Sequence, residues 1–116
     1  MTLTRLHTGA RMSEAVVCNG MVFLAGQVAD DATQDVAGQA RQVLAAIDRL
    51  LAEAGTDKTR LVFAQIFLAD IADFAAMNAV WDDWIVDAGK PARATVQATL
   101  ARPQWRIEIV ASAALP

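Results

Sequence analysis

The sequence predicts an α+β protein in which a sheet of about six strands carries two helices on one face. Three observations predict this class. β-type and helical segments follow one another in the order βββ-α-β-α-ββ. Residues 35–54 place their apolar side chains at steps of three and four, which is typical of one helical face. The last two strands alternate polar and apolar residues. Two helices can cover only one face of such a sheet.

Length and composition indicate the number of domains, the association of copies and the classes of partner to expect. The 116 residues predict one domain spanning 1–116. A hydrophobic content of 55% is high for this length, so we expect copies of the chain to associate. The net charge of −3 without any basic run gives no reason to expect a nucleic-acid partner. No apolar run approaches the roughly 20 residues of a membrane helix, and we expect a cytoplasmic protein.

The N-terminal half contains three strands and a helix. Residues 2–6 alternate like an edge strand, and residues 14–18 and 21–27 are β-rich. The dipeptide Asn19-Gly20 between the last two predicts a tight type I′ hairpin. A loop around Asp30 leads to the helix at 35–54, and Gly55 supplies its C-terminal stop.

The C-terminal half contains a strand, a helix and two final strands. Residues 61–68 are apolar on both faces, which predicts a strand that is buried on both sides. Residues 70–73 form a turn, and an apolar stripe then predicts a second helix. That helix is expected to run to Gly89, because Pro91 cannot continue it. The final strands are predicted at 94–100 and 105–113.

Polar residues share one side of the final strands. If the aliphatic side of each strand faces the helices, the uncovered side carries Arg93, Thr95, Gln97 and Glu108. Buried polar groups are costly unless they are paired or used, so the pattern predicts a pocket between subunits. Two simpler readings stay open: Arg93 as a solvated or interface charge, and Glu108 as an ion-pair partner of Arg106.

Several chemistries are excluded by residue content. One histidine, His7, and one cysteine, Cys18, cannot form a structural zinc site, and no HExxH motif occurs. The sequence also lacks GxSxG, GxGxxG and a phosphate-binding loop. We therefore expect no metal and no cofactor, and a reaction that uses arginine, glutamate, backbone amides and water.

The motifs resemble those of the Rid family, the reactive intermediate imine deaminases. The resemblance spans nearly the whole chain in register. It rests on these blocks: Pro91-Ala92-Arg93-Ala94-x-Val96, Ile107-Glu108-Ile109, Ala25-Gly26-Gln27, Gln39-Ala40-Arg41, Ile66-Phe67-Leu68-Ala69-Asp70 and Asp73-Phe74-Ala75-x-Met77-Asn78.

This resemblance implies a fold, an assembly and an activity. The fold is similar to that of the bacterial trimeric chorismate mutase, with a homotrimer packed through the sheet face that the helices leave open. Ligand sites lie in the clefts between subunits. Family members hydrolyse enamine and imine carboxylates such as 2-aminoacrylate to 2-keto acids and ammonia, without a cofactor.

The resemblance also implies roles for individual residues. Arg93 binds the substrate carboxylate, for which a guanidinium fork is well shaped. Glu108 positions and activates the attacking water. Gly26 offers backbone groups close to the ligand. The remaining pocket candidates are Thr95, Asn78 and Met12.

Three positions depart from the family pattern. Ala25 replaces a serine, Thr95 replaces a common cysteine, and Met12 lies near the place of a missing aromatic residue. The changes alter the pocket lining while Arg93 and Glu108 remain. The alternative function is a non-catalytic binder or sensor of small carboxylates at the same clefts. Arg93 serves both functions, and Glu108 discriminates between them.

Overall fold

A computed structural model describes residues 2–116, and its elements follow the predicted order βββ-α-β-α-ββ. The strands and helices are β1 (Leu3–Leu6), β2 (Ala15–Cys18), β3 (Met21–Leu24), α1 (Val36–Ala54), β4 (Leu61–Leu68), α2 (Phe74–Ile85), β5 (Ala92–Gln97) and β6 (Ile107–Ala114). Short 3-10 turns, Lys58–Arg60 and Ile71–Asp73, precede β4 and α2.

All six strands form one mixed sheet in the order β1-β2-β3-β6-β4-β5. Neighbouring strands are antiparallel except β4 and β5, which are parallel and are connected through α2. The helices cover one face of this sheet. The largest fully buried side chains there include Ile47, Leu51, Ile66, Leu68, Met77, Ile85, Ile107 and Ile109. The α+β architecture with two helices on one face is therefore as predicted.

Two local signals in the N-terminal half are confirmed, the Asn19-Gly20 turn and the end of the first helix at Gly55. Asn19 and Gly20 have φ values of 51° and 78°, as a type I′ turn requires. Asp35 caps α1 by accepting a hydrogen bond from Gly38 N at 2.9 Å. Gly55 ends α1 in the left-handed conformation, with φ 93°.

The end of α2 differs from the prediction, because the helix stops at Ile85 rather than at Gly89. Lys58 Nζ donates to Trp84 O at 2.6 Å, and Lys90 Nζ donates to Ile85 O at 3.2 Å. These ammonium groups satisfy carbonyls that a helix C-terminus leaves open, and their charge suits its dipole. The early end lets β5 begin at Ala92, so Arg93 lies within a strand.

A bulge changes the alternation of β4. Leu61 pairs with Ala113 but Phe63 pairs with Ser112, so Val62 is an extra residue. Strict alternation along a strand would place Val62 on the same side as Ala64, yet Val62 is exposed, while Leu61 is buried. The bulge is the physical reason. The extra residue shifts the alternation, so that Leu61 rather than Val62 lies on the buried side of the sheet.

The other face of the sheet, called here the open face, has no helix on it. Its exposed or half-buried apolar side chains are Phe23, Phe63, Phe67, Val96 and Val110. Phe23 keeps 50% of its surface exposed and Val96 keeps 43%. The open face is therefore apolar within one chain. In the described part of the chain, neither helix combines the length and apolarity needed to cross a membrane.

Candidate functional site

Arg93 lies on the helix-covered side of the sheet. In the parallel register it is paired with Ala64, which is buried beneath the helices. Its Cζ atom lies 5.2 Å from the centre of the Trp81 ring in α2. The expectation that Arg93, Thr95 and Gln97 share the uncovered side with Glu108 is therefore wrong.

The error came from assuming that the aliphatic side of β5 faces the helices. Val96 instead lies on the open face, where it is paired with Phe67. β5 is an edge strand, and α2 offers it the flat face of Trp81, on which a planar guanidinium packs well. Gln97 Oε1 accepts a hydrogen bond from Ile71 N at 2.8 Å, which ties the end of β5 to the turn before α2.

Four residues around this contact form what we call the Arg93 cluster: Arg93, Thr95, Asn78 and Trp81. Thr95 follows Arg93 on the same side of β5, and Asn78 lies one turn before Trp81 in α2. Thr95 Oγ1 and Asn78 Oδ1 are buried without a hydrogen-bond partner in the described residues. The ion pairs of residues 2–116 include none for Arg93. The cluster thus offers one cation and two unpaired oxygens to a ligand.

Glu108 lies on the open face. It alternates with Ile107 and Ile109, which point into the core and are 0% and 1% exposed. A Cβ atom added to Gly26 would come within 2.9 Å of Glu108 Cδ, so only glycine lets the carboxylate lie against the backbone there. The structure therefore brings the predicted residues Gly26 and Glu108 together. Within residues 2–116, no hydrogen bond to the Glu108 carboxylate is found, which leaves it open to a ligand.

The backbone that carries Gly26 is held against β6 by Gln27. Gln27 N donates to Ile109 O at 2.8 Å, and Ile109 N donates to Gln27 O at 3.1 Å. The buried Gln27 side chain donates to Glu14 Oε2 and to Ala25 O, both at 2.9 Å. These bonds fix the distance between Gly26 and the strand that carries Glu108.

A second buried glutamine, Gln39 of α1, holds the chain just before β6. Its Oε1 accepts from Arg106 N at 2.9 Å. Its Nε2 lies within 3.2 Å of three backbone carbonyls, those of Ala32, Gln34 and Gln104. Gln39 is 0% exposed, so all four bonds replace bonds to water.

Arg106 is bound by Asp73 rather than by Glu108. Its guanidinium donates to Asp73 Oδ2 at 2.7 and 3.2 Å. This hydrogen bonding, with the charge of Asp73, raises the pKa of Arg106 above its ordinary value. The reading of Glu108 as a structural partner of Arg106 is therefore wrong.

Met12 is separate from the other predicted site residues. It is half-exposed in the loop between β1 and β2, where it lines a hollow of about 360 Å³. The lining of this hollow contains neither Glu108 nor any member of the Arg93 cluster. His7 pairs with Glu53 at the protein surface. Residues 2–116 contain no group of three or more histidine, cysteine, aspartate or glutamate side chains that could hold a metal ion.

The sequence interpretation missed two features of this site. Trp81 belongs to the apolar stripe that predicts α2, and that stripe does not show the contact with Arg93 on another element. Gln39 carried a usable signal, because it interrupts the apolar stripe of α1 between Val36 and Ala40. A polar residue at such a position predicts a buried hydrogen-bond network.

Arg93 and Glu108 lie on opposite faces of the sheet in one chain, with β4 between the strands that carry them. Each is positioned by its own surroundings, and among residues 2–116 neither has a partner of opposite charge. The chain thus contains two separate half-sites, one formed by the Arg93 cluster and one by Glu108 with Gly26.

Comparisons with known proteins show which family this chain belongs to. Residues 2–115 match the family described as endoribonuclease L-PSP. A RutC family protein of Haemophilus ducreyi is 42% identical over 113 residues, which cover 97% of each chain. The RutC family protein YoaB of Escherichia coli is 41% identical over 115 residues, covering 99% of this chain and 100% of that protein.

Solved structures agree with the sequence matches. A YjgF family protein from Neisseria meningitidis has a TM-score of 0.96 at 46% identity, covering 100% of this chain and 97% of that one. A Rid family protein from Yersinia pestis has a TM-score of 0.91 at 27% identity, covering 98% and 100%. These neighbours confirm the chorismate-mutase-like fold. The chain belongs to the endoribonuclease L-PSP family, whose members include RutC, YjgF and Rid proteins, as its motifs had indicated.

Proposed function

We propose that this chain forms a homotrimer whose inter-subunit clefts hydrolyse reactive enamine and imine carboxylates, such as 2-aminoacrylate, in the cytoplasm. One observation carries the proposal. Within the described residues neither Arg93 nor Glu108 has an ion-pair partner, yet they lie on opposite faces of one sheet. A cleft between the open face of one copy and the β5–α2 side of another would bring one of each together.

The open face supports association between copies. Phe23 and Phe63 are 50% and 38% exposed there, and Val96 extends the apolar surface across β5. Contiguous exposed apolar surface of this kind is typical of protein interfaces. The motif resemblance to the Rid family favours three copies over two.

Arg93 and Glu108 suit the two requirements of imine hydrolysis. The Arg93 guanidinium binds the substrate carboxylate through two parallel N–H bonds. Glu108 takes a proton from water as the water oxygen attacks the imine carbon, and the nitrogen gains a proton as the C=N double bond becomes single. The C–N bond then breaks, so that one imine and one water give one keto acid and one ammonia. An enamine enters this sequence after it tautomerises to the imine.

An amino-acid oxidase that generates imines in the presence of semicarbazide provides the test. The wild-type protein should lower the yield of trapped imine and raise the rate of ammonia release. Glu108→Gln keeps the shape of the side chain but removes the base, so we expect kcat to fall by about 100-fold or more while a keto acid still binds. Arg93→Ala should abolish that binding. Unchanged hydrolysis in Glu108→Gln would refute the role of Glu108 as the base.

The alternative function, non-catalytic binding of small carboxylates, is supported by the Arg93 cluster alone. Its cation and two unpaired oxygens can hold a ligand without any reaction. Retained binding of 2-oxobutanoate without accelerated hydrolysis of any imine would favour this alternative. The family description also names RNA cleavage, but the net charge of −3 offers little attraction to a phosphate backbone. An RNA-degradation assay is a suitable control.

A further inference from the structure

Two neighbouring tryptophans of α2 each lie under a different cation. Arg93 Cζ is 5.2 Å from the centre of the Trp81 ring, and Lys58 Nζ is 5.1 Å from that of Trp84. The two ring centres are 5.5 Å apart. Trp81 is buried, whereas Trp84 is partly exposed and donates its Nε1–H to Asp48 Oδ2 at 2.9 Å. Trp81 is therefore the candidate for a functional role, and Trp84 is its matched control.

The Trp81 ring is what orients the end of the Arg93 side chain. Arginine has a long side chain with many rotamers, and an ordered geometry needs a contact that selects one of them. Among residues 2–116, no hydrogen bond or ion pair holds the Arg93 guanidinium. Contact with an aromatic face uses the flat side of the guanidinium and leaves its N–H edge available to a carboxylate.

We propose that Trp81 is a positioning residue that holds the Arg93 guanidinium in the orientation that receives the substrate carboxylate. This inference rests on the proposed function, because it assigns a role to a residue behind the same site. Trp81 acts through Arg93 and not on the reacting imine. It therefore sets the affinity for the carboxylate, and with it KM, while kcat depends on Glu108.

Graded substitutions test this role by steady-state kinetics. Trp81→Leu should raise KM about tenfold with kcat within about twofold, because the cation–π contact is lost. Trp81→Phe keeps an aromatic face and should raise KM by only about threefold. Trp84→Leu removes the equivalent ring beneath Lys58 and should leave KM unchanged. A folded Trp81→Leu protein with wild-type KM would overturn the proposal, as would a Phe variant as impaired as the Leu variant.

A double-mutant cycle on ligand binding separates this proposal from the proposed hydrolysis. Calorimetry with 2-oxobutanoate should show about tenfold weaker binding for Trp81→Leu. Combined with Arg93→Lys, which keeps the charge but not the stacking plane, Trp81→Leu should add almost no further loss. Fully additive losses would overturn the positioning role even if the enzyme hydrolyses imines. If Trp81→Leu does not fold, the Phe variant completes the same cycle.

Discussion

The polar groups that support Glu108 have hydrogen-bond partners within the chain, whereas two side-chain oxygens near Arg93 have none among the described residues. Four hydrogen bonds of Gln27 and four of the Gln39 side chain fix the backbone on either side of Glu108. In the Arg93 cluster, Thr95 Oγ1 and Asn78 Oδ1 have no hydrogen-bond partner in the part of the chain that the structure describes. One half-site is thus built by the chain alone, and the other is left for a ligand or a second copy to complete.

This difference has a consequence for mutations. Substitutions on the Glu108 side should break internal hydrogen bonds or close contacts, and so affect geometry and stability. Substitutions in the Arg93 cluster should affect ligand recognition with little loss of stability, because few internal bonds depend on it. The following experiments test the comparison, from the largest expected effect to the smallest.

Co-expression of two inactive variants gives the largest effect. If each site uses Arg93 from one copy and Glu108 from another, mixed assemblies of Arg93→Ala and Glu108→Gln chains contain some intact sites. Random mixing into symmetric rings predicts activity of about a quarter of the wild-type value. Separately purified variants that are not exchanged should remain inactive. Activity at the level of the single variants after verified mixing would show that both residues act within one chain.

A methyl group at position 26 should disable the Glu108 half-site. In Gly26→Ala the new Cβ would lie 2.9 Å from Glu108 Cδ, so the carboxylate must move. We expect kcat to fall by about 100-fold, because a displaced base loses its alignment with the water. Gly9→Ala is the control, since its Cβ meets nothing closer than Met12 O at 3.9 Å. Wild-type kcat in Gly26→Ala would show that Glu108 tolerates displacement.

Removing the Gln39 side-chain amide tests how much its hydrogen bonds contribute to the stability of the protein on the Glu108 side. Gln39→Met keeps the length of the side chain but leaves Arg106 N and three carbonyls unpaired. We expect the free energy of unfolding in urea to fall by about 3 kcal/mol. Gln42→Met, which removes two exposed hydrogen bonds to Asp31, should cost less than about 1 kcal/mol. Similar losses in the two variants would contradict the importance assigned to Gln39.

The smallest effect concerns the loop before α1. Hydrogen bonds from the Thr33 hydroxyl, the Thr33 backbone and the Gln34 side chain hold the pKa of Asp31 below its ordinary value of 3.8. The resulting stabilisation is present above pH 3.8 and is lost as pH falls through the lowered pKa of the folded state. Asp31→Asn should therefore lower the unfolding midpoint slightly at neutral pH and make no difference in strong acid. A pH-independent difference would rule out this linkage.

The sequence was sufficient for elements whose signals are local. The Asn19-Gly20 turn and the end of α1 at Gly55 were predicted from neighbouring residues, and the structure has them where expected. The side of the sheet that Arg93 occupies was predicted wrongly. Alternation shows which residues of β5 share a side, but the parallel pairing with β4 decides which side the helices cover.

The two half-sites were not equally accessible to sequence reasoning. Gly26 and Glu108 were each named as site residues through family motifs. The structure places them in contact and explains the glycine by the close approach of the carboxylate. The stacking of Arg93 on Trp81 depends on where α2 ends and β5 begins. That boundary is set by lysines bonded to helix carbonyls, which no local pattern announced.

The placement of Arg93 and Glu108 on opposite faces has a consequence for how the protein behaves in the cell. If they act as a pair, a single chain is inert, and specific activity must fall on dilution below the dissociation constant of the assembly. At low protein levels, the total activity would then rise more steeply than the amount of protein. A modest change in synthesis rate could switch the activity on without any effector, so the concentration of the chain would itself be the regulator.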